Sequence, residues 1–461
     1  MQAYLCIFNK RLKKSHLIIK KSQENNPPLL YNGFRGDAMG IIKTKLTHFV
    51  TKEKEGTYYT VPFDVPCGIR KLTVSYSYFR KTKGILGDLH PTNTIDIGLV
   101  DEKGRFLGWS GSAHKSIYVG EFDSSNGYLS EPINEGKWGI IVGAYHVMPE
   151  GVEVTYEFEF EEKGEELLFG DLHVHSDASD GEFDMFTLGK KAKEIGLDFL
   201  AAANHNNYSE NLNLPHLGGF TFIPAVEWTH YNGHMNFFGV KAPFENSFIA
   251  NNLDEMRKLI QNARNLGAVI SVNHPKCRFC PYKWQDDSSF DMMEIWNGPM
   301  RRTNTDGIEW WTQLLKEGRR IPAVGGSDFH RNKSFVSLGN PVTAVWSESR
   351  KAEDILNGIR AGRCFVTKSI DGPRLRLGYG GARMGETAKY SNETEIEISA
   401  EKLGGAKIIL VTRDGEQTVF KGGKDEFSGK FKLPKTNFAY IKAVKGRRQT
   451  VKAVSNPIYF E

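Results

Sequence analysis

Apolar and polar residues alternate strictly from Val152 to Phe160 (Val-Glu-Val-Thr-Tyr-Glu-Phe-Glu-Phe). A period of two places one face of a strand in a core and the other in water. Similar runs cover Thr57 to Val65, Leu72 to Phe79, Thr94 to Val100 and Gly139 to Tyr145, with turn residues such as Asp101-Glu102-Lys103-Gly104 between them. Short strands punctuated in this way predict an N-terminal β-sandwich over residues 36–163. Residues 1–35 read as a basic, disordered tail, and the acidic stretch Glu161 to Glu166 as a linker.

The period changes at Leu167. In Leu253 to Leu266, Leu253, Met256, Leu259, Ile260 and Ala263 share one helical face. Leu188 to Ile195, Ile308 to Leu315 and Ile355 to Ile359 are shorter versions. Between them lie apolar runs at Phe199 to Ala203, Phe220 to Val226, Ala268 to Val272, Met292 to Trp296, Ile321 to Val324 and Val342 to Trp346. This alternation predicts an α/β domain over 167–370, built on a parallel sheet or a barrel. From Asp371 the chain returns to strands. Arg413-Asp414-Gly415-Glu416 and Gly446-Arg447 each sit between two apolar runs, a hairpin signal. A small C-terminal β-sandwich over 371–461 fits that pattern.

The 461 residues suit two to four domains. The net charge of +5 is small and dispersed, which marks solvated faces and not a nucleic-acid stripe. Five cysteines argue against a disulfide framework and fit a reducing compartment. No apolar run reaches transmembrane length. Near the start, Ala3 to Phe8 is apolar and precedes the basic residues, the reverse of a signal peptide. A cytoplasmic protein without a membrane partner is expected; the oligomeric state is left open.

Candidate chemistry sits in the middle of the chain. Gly170-Asp171-Leu172-His173-Val174-His175-Ser176 holds two histidines at i and i+2, which point to one face of a strand. Eight of the 13 histidines fall between His173 and His330. His205, Glu227, His274, Asp328 and His330 each end or follow an apolar run. In a parallel β/α barrel such strand ends converge on one face, where active sites are built. Imidazole and carboxylate oxygen suit zinc, manganese and iron alike.

These motifs resemble the polymerase and histidinol phosphatase (PHP) superfamily, in its CehA/McbA-like branch. The resemblance spans Leu167 to Ser369. It rests on His-x-His-Ser followed by Ser-Asp-Gly, on Asn204-His205-Asn206, on Glu227 followed by Gly233-His234, on Asn273-His274-Pro275 and on Gly326-Ser327-Asp328-Phe329-His330. Ser455-Asn456-Pro457-Ile458-Tyr459 also looks like that branch's C-terminal end. The resemblance implies a distorted seven-stranded (β/α)7 barrel with two or three divalent ions. His173 and His175 would hold the first with Glu227 and Asp328. Glu227 would bridge to a second held by His234 and His274. Asp180, His205 and His330 would hold the third. Glu227, Asp328 and His330 would be the catalytic core of the set. The family commonly has Asp where Asn204 stands, which removes a charge near the third position.

A divalent ion lowers the pKa of bound water from 15.7 to about 7. The implied activity is hydrolysis of a small phosphate ester; a carbamate or carboxylic ester, or a nucleic acid attacked by an exonuclease, are the alternatives. Arg278 and Arg301, with Lys276 and Arg302, are either phosphate partners or solvated loop charges. His230 either lines the substrate pocket or lies on the surface. Asp171 and Asn273 are placed to orient ligand histidines. Cys277-Arg278-Phe279-Cys280 is either a redox pair or half of a zinc site, or has no functional role; no second pair and no thioredoxin-like context accompany it.

Overall fold

The computed structural model describes residues 40–83, 89–91, 93–244, 247–333 and 335–461. The basic tail expected at 1–35 lies outside the described residues. The chain is mixed α/β, with many strands and four α-helices among the described residues. It divides into two compact units, Met1–Gly164 and Glu165–Glu461.

In the first unit, Ile41–Val50, Val152–Glu162, Ile69–Ser77 and Ser116–Gly120 form an antiparallel sheet in that order. Thr57–Val65, Gly136–His146, Thr94–Val100 and Phe106–Gly111 form a second. The alternation along Val152–Glu162 buries Val154, Tyr156, Phe158 and Phe160. They share one core with Val61, Phe63, Ile140 and Val142 of the other sheet, and Phe63 stacks on Phe158 at 4.5 Å. Each such side chain contributes about 1.5–3 kcal/mol by leaving water.

The second unit carries the candidate site. Its strands are β1 (Glu166–Val174), β2 (Phe199–His205), β3 (Thr221–Trp228), β4 (Met235–Phe238), β5 (Val269–Val272), β6 (Met292–Asn297), β7 (Ala323–Gly326), β8 (Val342–Ser347) and β9 (Cys364–Thr367). They lie in the order β7-β6-β5-β4-β3-β2-β1-β8-β9. β1, β2 and β3 are mutually parallel, as are β5, β6 and β7, while β4 runs antiparallel to both neighbours. The two ends of this run of seven meet. Asp328, just past β7, donates its N–H to His173 O at 2.7 Å, and His175 donates to Phe329 O at 2.9 Å. β1 thus pairs with β8 through its first half and with the segment after β7 through its last residues.

Helices α1 (Met185–Glu194), α2 (Leu253–Asn265), α3 (Arg302–Lys316) and α4 (Ala352–Arg360) fall where the periodicity places them. α2 buries Met256, Leu259, Ile260 and Ala263, and its Asn252 cap accepts the Glu255 N–H. The alternation of strand and helix is only partial, however. β2 reaches β3 through the short 3-10 turn Ser209–Asn213, and β3 turns straight back into β4. Pro215, Gly218 and Gly219 fill the first connection, and such residues do not sustain a helix. β4 itself, four residues long, is too short to show a period.

Beyond Asp371 the sheet continues from β9 into Thr450–Ser455, Phe438–Lys445, Lys407–Thr412 and Gly415–Phe420. Arg374–Tyr379, Glu395–Glu401 and Phe427–Lys432 belong to a separate four-stranded sheet. Among the described residues no helix is long and apolar enough to cross a membrane.

Candidate metal centre

The last residues of β1, β2 and β3, and the first residues after β5 and β7, bring the predicted side chains together. Glu227, near the end of β3 and 1 % exposed, is the hub. Its Oε1 lies 3.3 Å from His173 Nε2, 3.1 Å from His234 Nδ1 and 3.3 Å from His274 Nε2. Its Oε2 lies 2.8 Å from His205 Nδ1 and 3.7 Å from His175 Nε2. Asp328 Oδ1 stands 3.2 Å from His175 Nε2 and 3.6 Å from His173 Nε2. Asp180 Oδ1 is 3.3 Å from His330 Nε2 and 3.7 Å from His205 Nε2. Four groupings among the described residues have metal-ligand spacing: His173, His175 and Glu227; His173, His274 and Asp328; His175, Asp180, His205 and His330; and His234, His274 and Cys280.

The backbone is bent to achieve this. Asp328 has φ 58° and His274 φ 28°, both in the left-handed region that side chains with a Cβ avoid. Gly326 lets β7 approach β1 closely: a Cβ there would stand 2.4 Å from His173 Cβ and 2.7 Å from its backbone N.

Two observations show that these residues fit divalent cations. First, His173 Nε2 and both ring nitrogens of His175 are buried without a hydrogen-bond partner. Such orphaned nitrogens are costly unless a ligand satisfies them. Second, the buried carboxylates hold positive charge close to them. Burial opposes a charge on His173, yet Glu294, Asp328 and Glu227 hold its pKa well above the ordinary imidazole value. Burial likewise opposes the charge on Glu227, but His173, His205 and His234 hold its pKa well below the carboxylate range. His274 is lowered by burial but raised further by Glu227, Glu294 and Asp328, to about 9. His175, with burial dominant, falls to about 4. Protons on the imidazoles supply here the kind of positive charge that a divalent ion would supply.

The sequence did not single out Glu294, inside the apolar run of β6. Its Oε1 lies 3.0 Å from His173 Nδ1, and its Oε2 accepts the His274 N–H at 2.9 Å. A lone buried charge in Met292-Met293-Glu294-Ile295-Trp296 was the available signal. Asp171, expected to orient a histidine ring, instead accepts backbone N–H groups of His173, Ser327 and Gly339 and so ties β1 to the loops after β7. Asn273 donates to Glu227 Oε1 at 2.9 Å. Asn204 supports the turn after His175: its Oδ1 accepts from Ser176 N–H and Ser179 Oγ, and its Nδ2 donates to Glu210.

The candidate substrate groups are placed differently. His230 lies against Trp228 and Trp284, at ring separations of 5.3 and 4.6 Å, and its Nδ1 accepts the Asn232 N–H. Arg278 and Arg301 are exposed. Lys276 lies over the Trp310 ring at 4.3 Å, and Arg302 faces Asp306 at 3.8 Å. Arg331, exposed and not singled out in the sequence, donates from Nη2 to the Asp180 carbonyl at 3.2 Å.

No family model matches this sequence, and no curated protein matches it. Among solved structures, the chain is similar to a two-domain protein from Bacteroides vulgatus containing a predicted PHP-like metal-dependent phosphoesterase, at 14 % identity and a TM-score of 0.37, over 64 % of this chain and 96 % of that one. It is similar to PsfC from Pseudomonas syringae at 19 % identity and a TM-score of 0.31, over 39 % and 82 % of the two chains. A third likeness is to an amidohydrolase from Chromobacterium violaceum, at 14 % identity and a TM-score of 0.27, over 36 % and 89 %. At these scores none of the three bears on the chemistry; the donor set carries that.

Proposed function

We propose that this protein is a metal-dependent hydrolase of the PHP type, acting on a small phosphate ester. The observation that carries the reading is one buried carboxylate, Glu227, facing five imidazoles while His173 Nε2 and both ring nitrogens of His175 lack a hydrogen-bond partner. In this reading β1 to β7 form the distorted (β/α)7 barrel, residues 36–163 and 371–461 are flanking β modules, and the site motifs are those of the CehA/McbA-like branch.

His173, His175, Glu227 and Asp328 would hold the first ion, Glu227, His234 and His274 the second, and Asp180, His205 and His330 the third. When bound, such ions supply a water acidified to near neutrality and a grip on the leaving oxygen. Glu294 and Asn273 hold the His173 ring and the Glu227 carboxylate in place. Arg331, with Arg278 and Arg301, would meet an anionic substrate at the rim.

Metal-loaded protein assayed on aryl phosphates and aryl phosphodiesters tests the reading; inertness toward both sinks it. One observation favours a second reading: the half-buried His230 ring, backed by the buried Trp228 and Trp284, offers an uncharged surface to a carbamate or carboxylic ester. Arg331→Ala separates the two. It raises KM for a phosphate ester by about tenfold, the worth of one exposed charge-assisted contact, and leaves a neutral ester untouched.

A further inference from the structure

We infer that Cys280 is a thiolate ligand of the metal position held by His234 and His274. The inference rests on the metal-centre reading above and deepens it, because it adds a soft donor to an otherwise nitrogen and oxygen site. Ligand atoms of His234, His274 and Cys280 lie within 4.8 Å of one another. Cys280 Sγ is 3.5 Å from His274 Nδ1.

That separation matches a shared ion. Zinc–sulfur bonds are about 2.3 Å and zinc–nitrogen bonds about 2.0–2.1 Å, so two such donors on one tetrahedral ion stand about 3.5–3.6 Å apart.

The loop after β5 is folded to deliver the sulfur. His274 takes a left-handed conformation, Cys277 N–H returns to His274 O at 2.8 Å, and Tyr282 N–H returns to Pro275 O at 3.0 Å. These bonds turn the chain so that Cys280 comes back to the His274 ring. Cys277 Sγ, 3.2 Å from Cys280 Sγ, accepts the Phe279 N–H at 3.4 Å. It is the outer sulfur, placed to hydrogen-bond a coordinated thiolate. On binding, the Cys280 thiol gives its proton to solvent and its sulfur lone pair to the ion. A thiolate at this position favours zinc, iron(II) or cobalt over manganese and magnesium.

The test uses metal-free full-length protein titrated with cobalt(II). The expected result is a thiolate-to-cobalt charge-transfer band in the near ultraviolet. Zinc-loaded protein should show one sulfur scatterer at about 2.3 Å by X-ray absorption. Cys280→Ser should abolish the band and weaken one ion at least tenfold, while Cys277→Ser keeps the band. Cobalt bound through nitrogen and oxygen alone, or a band that follows Cys277 instead, overturns the inference and leaves the metal centre standing. Wild-type protein that takes up no cobalt removes the metal-centre reading itself. The wild-type spectra decide the matter even if a variant folds poorly.

Discussion

Glu227 sets the terms at the residue scale, because every imidazole around it depends on one carboxylate. Glu227→Gln keeps the shape and removes the charge, so the metal content should fall from about two or three ions to fewer than one. Elemental analysis of protein purified without added metal reads this out; an unchanged content refutes the hub role. Protons compete for the same site. His274 in the metal-free fold has its pKa raised from 6.5 to about 9. Its proton therefore stabilises the metal-free fold fully below the unfolded value, and that contribution is lost as pH rises through about 9. Metal affinity runs the other way, climbing about tenfold per pH unit for each proton released. Calorimetric titration near pH 6 and near pH 9, in buffers of different ionisation enthalpy, should show proton release; a pH-independent affinity would refute the linkage. The nine proposed donors were legible in the sequence because each stands at the end of an apolar run or in a short motif beside one. Glu294 was not, and Cys280 stood out only as part of an unassigned Cys-x-x-Cys. Glu294 hides inside a buried strand, and the return of Cys280 depends on loop bonds that no periodicity encodes.

At the scale of elements, the site depends on β7 meeting β1. Gly326 is the point of closest approach, and the atoms a Cβ would strike belong largely to the His173 backbone, which cannot swing aside. Gly326→Ala should cost about 1–3 kcal/mol or more and displace His173. Thermal unfolding and metal content should therefore fall together, whereas a stable variant with full metal would show that the strands have room. A second tie lies between α2 and the loop before β6. Arg257 Nε donates to Asp286 Oδ2 at 2.6 Å, and Asp286 also accepts from Ser288. Burial raises the Asp286 pKa, but Ser288 and Arg257 more than reverse it and hold it below the carboxylate range. The stability this adds is present above the unfolded pKa and is lost as pH falls through the folded one. Asp286→Asn should cost about 1.5–3 kcal/mol at neutral pH and less in acid; an equal cost at both would refute the charge argument. The four helices and most strands of the second unit were visible as periodicity. The hairpin of β3 and β4 was not, because four residues carry no period, and neither was the closure of β1 on β7, which is a long-range bond pattern.

For the whole molecule, the question is what the site needs in order to fold. Residues 371–461 look separable in sequence, since the helical period stops before them. In the structure, Thr450–Ser455 pairs with β9 through Phe365 and Ser455, Val366 and Val454, and Thr367 and Ala453. Asn456, fully buried, accepts the Ala323 N–H at the start of β7 and donates to the carbonyls of Ala323 and Cys364. The core that contains Trp311, Leu314 and Ile321 also contains Phe438, Tyr440 and Val454. Trp311 meets Tyr440 at a ring separation of 4.9 Å. A chain ending at residue 370 would leave β9 as a bare edge and open that core to water, at about 1.5–3 kcal/mol for each large side chain exposed. The fragment 165–370 should therefore be aggregated or molten and hold no metal, although it contains all nine proposed donors. The fragment 165–461 is one compact unit and should unfold cooperatively with its full metal content. Near-ultraviolet circular dichroism and elemental analysis of the two fragments compare them directly. A well-folded, metal-bearing 165–370 would mean that the strands after Asp371 are an accessory, and that β7 is held against β1 by its own residues alone.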